Sequence, residues 1–77
     1  MTKRNVKLNT INDIERFNKL CSTFECEMDL SSGKYYVDAK SIMGIFSLNL
    51  DLPLVLFAGT DNAASIDEAF KDFIIKS

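Results

Sequence analysis

Hydrophobic and polar positions recur along this chain with two different periods, and the switches between them divide it into seven elements. Residues 5–9 predict a short strand, with Val6 and Leu8 on one face. A helix follows, in which Ile14, Phe17, Leu20 or Cys21, and Phe24 fall at helical spacing. Asn12 is its expected N-cap, with Glu15 three residues later as in a capping box. The period then drops to two. Phe24, Cys26, Met28 and Leu30 alternate with Glu25, Glu27 and Asp29, the pattern of a strand with one wet face. Ser31-Ser32-Gly33-Lys34 predicts a turn, and residues 35–37 return as the second arm of a hairpin.

The second half continues without a linker, repeat or low-complexity stretch. Ser41 is suited to cap a short helix over the segment Ala39 to Leu48. Gly44 weakens that helix, so packing must hold it. Pro53 cannot donate to a ladder and marks a strand start, and Leu54 to Phe57, apolar on both faces, predicts a central strand. Ser65-Ile66-Asp67-Glu68 reads as a second capping box, followed by the stripe Ile66, Ala69, Phe70, Phe73 and Ile74. The order is βαββαβα. It predicts a two-layer α+β domain over residues 1–77, with helices on one face of an antiparallel sheet.

Composition narrows the functional classes. A net charge of −2 lacks the basic footprint of a nucleic-acid binder. No apolar run follows Lys3-Arg4 as in a signal peptide, and Leu52 to Ala58 is far too short to span a bilayer, so a cytoplasmic, membrane-free protein is expected. Cys21 and Cys26, with no histidine beside them, cannot complete a usual zinc site, and their spacing is not that of a CxxC redox pair. They are expected as reduced core thiols, with no metal and no cofactor. No nucleophile–base pair and no phosphate-binding glycine loop stands out, so the chain does not read as an enzyme. Glu25, Glu27, Asp29 and Asp67 read as solvated faces and caps.

One segment is more specific. Lys40-Ser41-Ile42-Met43-Gly44-Ile45-Phe46-Ser47-Leu48 resembles the regulatory-serine segment of the HPr family, the small phosphocarrier proteins of the bacterial sugar phosphotransferase system. The Ser32-Gly33-Lys34 turn and the acidic final helix fit the same family, and the resemblance extends from about Phe24 to the C-terminus. It implies an HPr-like open-faced β-sandwich, a four-stranded antiparallel sheet with three helices on one face. It also implies that Ser41 is the acceptor of a dedicated ATP-dependent kinase, in carbon-catabolite control. Lys40, Ile42, Met43 and Phe46 would form the surface that meets a transcriptional regulator or a phosphotransferase component.

The first 20 residues depart from the family. Carriers have a Gly-[IL]-His-[AT]-Arg-Pro segment before the first helix, where this chain reads Leu8-Asn9-Thr10-Ile11-Asn12-Asp13. Thr10 falls near the histidine position and Asn12 near the arginine, and the whole chain contains no histidine. A threonine ester would be stable rather than labile and would need its own base, and Asp13 would repel a phosphate. Thr10 is therefore read as a surface turn residue. Asn49 replaces the family's glycine after Ser-Leu, and Leu50-Asp51-Leu52-Pro53 is more apolar than the family's turn, either as an interaction surface, a dimer contact or altered packing. The expected function is an HPr-like regulatory protein that is not a histidine phosphocarrier. The alternative is a divergent interaction module that keeps the fold and the patch without phosphorylation; read as isolated features, Ser41 is an N-cap and Ile42 and Phe46 are core residues.

Overall fold

The computed structural model describes residues 1–75; residues 76 and 77 of the expected domain lie outside the described residues. In chain order the elements are β1 (Thr2–Val6), α1 (Ile11–Ser22), β2 (Met28–Ser32), β3 (Tyr35–Asp38), α2 (Ile42–Phe46), β4 (Leu54–Ala58) and α3 (Ala63–Ala69). The strands form one sheet in the order β1-β4-β2-β3, and every neighbouring pair is antiparallel. This is the expected α+β architecture, with helices on one face and the other face open.

β4 holds the sheet together. It pairs with β1 from Thr2↔Ala58 to Val6↔Leu54 and with β2 from Met28↔Ala58 to Ser31↔Val55. Its period-two pattern sends Leu54, Leu56 and Ala58 into the core beside Val6, Met28 and Leu30, all nearly or wholly excluded from solvent. The helices close over them with Ile14, Phe17 and Cys21 from α1, Ile45 from α2 and Ile66 from α3. An aromatic cluster joins the first and last helical segments. Phe17 lies 5.1 Å from Phe70 and 5.6 Å from Phe73, and Phe24 stacks 5.7 Å from Phe70, measured between ring centroids.

The structure corrects four boundaries. β1 starts earlier than expected and ends at Val6, although Val6 and Leu8 are both buried. Continuing the register would set Lys7 against Pro53, which has no N–H to offer. The Lys7 N–H instead donates to the Phe73 carbonyl at 2.9 Å. α1 is capped by Thr10, not Asn12: the Thr10 Oγ1 accepts the Asp13 N–H at 3.0 Å, and the Asp13 carboxylate accepts the Asn9 N–H at 3.1 Å. Residues 24–27 keep their alternating burial but are not strand. Past the Gly59 N–H, which donates to Glu27 O at 2.8 Å, β4 has ended and offers them no neighbour. α3 is capped by Asn62, whose Oδ1 accepts the Ser65 N–H at 3.2 Å, while the Ser65 hydroxyl donates back to the Asn62 carbonyl. It stops at Ala69. Phe73 then makes a tighter turn onto the Phe70 carbonyl, and Ile74 bridges to Val6 on the outer side of β1.

α3 is also tied to β1 by a two-pronged ion pair. Arg4 Nε and Nη2 donate to the two carboxylate oxygens of Asp67 at 2.7 and 3.2 Å. The guanidinium holds the Asp67 carboxyl below its ordinary value, and the carboxylate raises that of Arg4.

Two outcomes test this packing. Phe70→Ala empties the centre of the aromatic cluster and should cost about 3–5 kcal/mol in urea unfolding, against less than about 0.5 kcal/mol for Met43→Ala on the surface. Because the Asp67 pKa is lowered on folding, its contribution is present above the ordinary carboxylate range, roughly pH 4, and is lost as pH falls through the lowered value. Asp67→Asn should therefore flatten the acid limb of the stability–pH curve while leaving its shape near neutrality unchanged.

Candidate functional site

Ser41 stands where β3 hands over to α2. Its extended backbone, φ −100° and ψ 110°, lets the side chain fold back over the first turn, and Oγ accepts the Gly44 N–H at 3.3 Å. Its own N–H donates to the Asp38 carbonyl at 3.0 Å, while an Asp38 carboxylate oxygen accepts the Lys40 N–H at 2.9 Å. The turn from Asp38 to Ser41 is thus fixed at both ends, and the Ser41 side chain remains exposed.

The five residues of α2 divide sharply by side. Ile45 is fully buried and Ile42 packs half-buried against the core. Met43 is 76% exposed and Phe46 43% exposed. An i, i+3 pair shares one helix face, so these two side chains form a small apolar patch next to Ser41. Lys40 is not part of that patch. Its ammonium donates to the Phe24 carbonyl at 2.6 Å, which holds its charge at the connection between α1 and β2. After α2, Leu48 is buried and Leu50 half-buried, and the Leu50 carbonyl accepts from the Lys7 ammonium at 2.9 Å. Leu52 is exposed and shares a shallow groove with Tyr35 and Asn49.

Thr10 and Asn12 lie at the start of α1. The Thr10 hydroxyl is occupied as the N-cap and Asn12 is exposed in the first turn. Sequence reasoning missed the roles of two neighbours. Asp13, three residues after Thr10, is the carboxylate that locks the cap, and the Thr10-x-x-Asp13 spacing carried that signal. Arg16, one turn on, approaches Asp13 at 3.9 Å, pairs with Asp72 at 3.2 Å and lies 5.3 Å over the Phe73 ring. The Arg16 guanidinium is therefore shared between two carboxylates and an aromatic face. Nothing in the arrangement activates the Thr10 oxygen: its neighbouring carboxylate is engaged with backbone.

Among the described residues no group of three or more His, Cys, Asp or Glu side chains could hold a metal ion. Cys21 is buried and burial pushes its thiol up to about 12, which keeps it protonated and inert; Cys26 is half-buried. No helix among the described residues is long and apolar enough to cross a membrane.

No protein-family model matches the chain, and no curated protein matches it significantly. Among solved structures it is similar to the crystal structure of HPr-C-His from Thermoanaerobacter tengcongensis. The TM-score is 0.78 and the identity 24%, over 94% of this chain and 89% of that one. The likeness establishes an HPr-like fold.

Thr10→Ala should cost about 1 kcal/mol of stability in urea unfolding, the ordinary worth of an N-cap. Asn12→Ala should be close to neutral, because its side chain caps nothing.

Proposed function

We propose that this protein is an HPr-like regulatory component of the phosphotransferase system and carbon-catabolite control, that it works in the cytoplasm, and that it is neither a histidine phosphocarrier nor an enzyme. Ser41 accepts the γ-phosphoryl group of ATP from an HPr-type serine kinase, and Met43 and Phe46, supported by Ile42, meet a transcriptional regulator or phosphotransferase component. The observation that carries this reading is the Ser41-capped α2, which turns Met43 and Phe46 outward on an HPr-like fold in a chain with no histidine. A phosphate on Ser41 adds about 1.5–2 negative charges beside the apolar patch and leaves the helix hydrogen bonds in place. That changes what the patch attracts without changing its shape.

A second reading rests on specific observations. The Ser41 hydroxyl already serves as a cap, and the Lys40 ammonium is held at the Phe24 carbonyl, away from service as a phosphate counter-charge. Under it the patch docks a protein partner without phosphorylation.

Incubation with an HPr-type serine kinase and ATP, followed by mass-spectrometric mapping, separates the two. The first reading expects a single phosphate on Ser41 and none on Ser41→Ala; no modification, or modification elsewhere, selects the second. With phosphoenolpyruvate and the phosphotransferase donor enzyme, no acid-labile phosphate should form.

A further inference from the structure

The face of the sheet turned away from the helices carries its own pattern. The cross-strand register sets Lys3, Phe57, Asp29 and Asp38 in one row across it, and Asn5, Val55, Ser31 and Tyr36 in the next. The rings of Tyr36 and Phe57 come within 5.6 Å of each other across β2, where Ser31 is buried. Asp29 and Asp38 stand directly opposite one another. Because the Ala39 N–H donates to Met28 O at 3.0 Å, theirs is a non-hydrogen-bonded pair, the class whose facing side chains are closest. Like charges so placed destabilise a sheet. Glu25 and Glu27 continue the exposed positions of β2, and all four carboxylates line one cleft of about 310 Å³ together with Lys40. The chain has eleven acidic side chains; five make ion pairs among the described residues, and these four are among the six that do not. Neither Lys40 nor Lys3 answers them. The Lys40 ammonium donates to the Phe24 carbonyl at 2.6 Å, and that of Lys3 lies 5.7 Å over the Phe57 ring.

We propose that this open face docks an arginine-bearing segment of a partner protein, with a guanidinium stacked on Tyr36 and held by Asp29. Charge complementarity selects the occupant. The acidic row repels nucleic acid and anionic membrane, and a cation brought in from outside relieves the opposition of Asp29 and Asp38. The aromatic pair selects arginine among cations. Tyr36 is 64% exposed, and a guanidinium both stacks on a ring and bonds a carboxylate through two N–H groups, which an ammonium cannot do. Tyr36 and Asp29 are diagonal neighbours on adjacent strands, roughly 7–8 Å apart, near enough for one long side chain to meet both. Lys3 over Phe57 already uses the second ring in this way within the chain. The surface lies across the sheet from Met43 and Phe46, so it does not depend on the reading of Ser41.

Titration of the full chain with a hexa-arginine peptide, followed by nuclear magnetic resonance, should move the Asp29, Tyr36, Asp38 and Phe57 amide signals saturably. Tyr36→Ala and Asp29→Asn should each weaken binding about tenfold. Asp51→Asn removes the same charge from a different loop and should change it less than about twofold. A hexa-lysine peptide should bind more weakly than hexa-arginine. Absence of saturable shifts, shifts centred elsewhere, equal losses from Asp51→Asn and Asp29→Asn, or hexa-lysine binding as tight as hexa-arginine each overturns the proposal. Signals that move with protein concentration alone give the face to a second copy of the chain and overturn it as well. One measurement needs no peptide: Asp29→Asn removes one of the two opposed charges and should raise the urea midpoint, and a lowered midpoint overturns the premise.

Discussion

Helix α2 lies so close to β3 that a side chain at residue 44 would press on Val37. A Cβ there would meet Val37 Cβ at 3.2 Å, Ser41 Oγ at 3.5 Å and the Asp38 carbonyl oxygen at 3.6 Å. Glycine costs a helix interior about 1 kcal/mol relative to alanine, and in a helix of five residues that is not recovered locally. What offsets it is tertiary. The close approach lets Ile45 drop fully into the core, seats Ile42 at its margin and draws the Gly44 N–H under the Ser41 hydroxyl. With Ile45 facing the core, Met43 and Phe46 stand on the more exposed side of the helix.

The segment from Leu8 to Asp13 shows the opposite relation between fold and chemistry. Its backbone delivers a residue with a hydroxyl side chain to the start of α1, but that hydroxyl and the Asp13 carboxylate are used to build the helix start. Thr10 accepts from Asp13, Asp13 accepts from Asn9, and Arg16 is divided between Asp13 and Asp72. Without an imidazole, and with hydroxyl, carboxylate and cation all engaged, the loop is a well-capped helix end. The fold survives because it depends on β4 and on the rings of Phe17, Phe70 and Phe73, none of which lies in this loop.

Most of the architecture was legible from periodicity, since each inward-facing strand residue and each helix stripe is set by local spacing. Ser41 as the cap of α2, Pro53 ahead of β4 and the central position of β4 were all readable from the chain. Boundaries were less so, for reasons that lie in distant residues. Whether β1 extends past Val6 is decided by Pro53 across the ladder, and whether residues 24–27 pair is decided by where β4 stops. The caps of α1 and α3 were each placed too late, because Asn12 and Ser65 are as competent as Thr10 and Asn62, and only the path of the incoming chain chooses between them. At the candidate site, Met43 and Phe46 as a surface followed from the resemblance of residues 40–48 to the regulatory-serine segment of the HPr family; spacing alone, with Phe46 four residues after Ile42, allowed a core reading. The capture of Lys40 by the Phe24 carbonyl followed from neither, since those residues are 16 apart and belong to different connections.

The account stands on α2 being clamped against β3 through Gly44, and that contact is directly observable in solution. In a nuclear Overhauser spectrum of the full chain, the Gly44 Hα protons should show strong cross-peaks to the Val37 methyl groups, and the Ile45 amide, which donates to the Ser41 carbonyl at 3.1 Å, should be slow to exchange. Absence of the Gly44–Val37 cross-peaks, with fast exchange at Ile45, would mean that α2 is not held in this pose and would contradict the account.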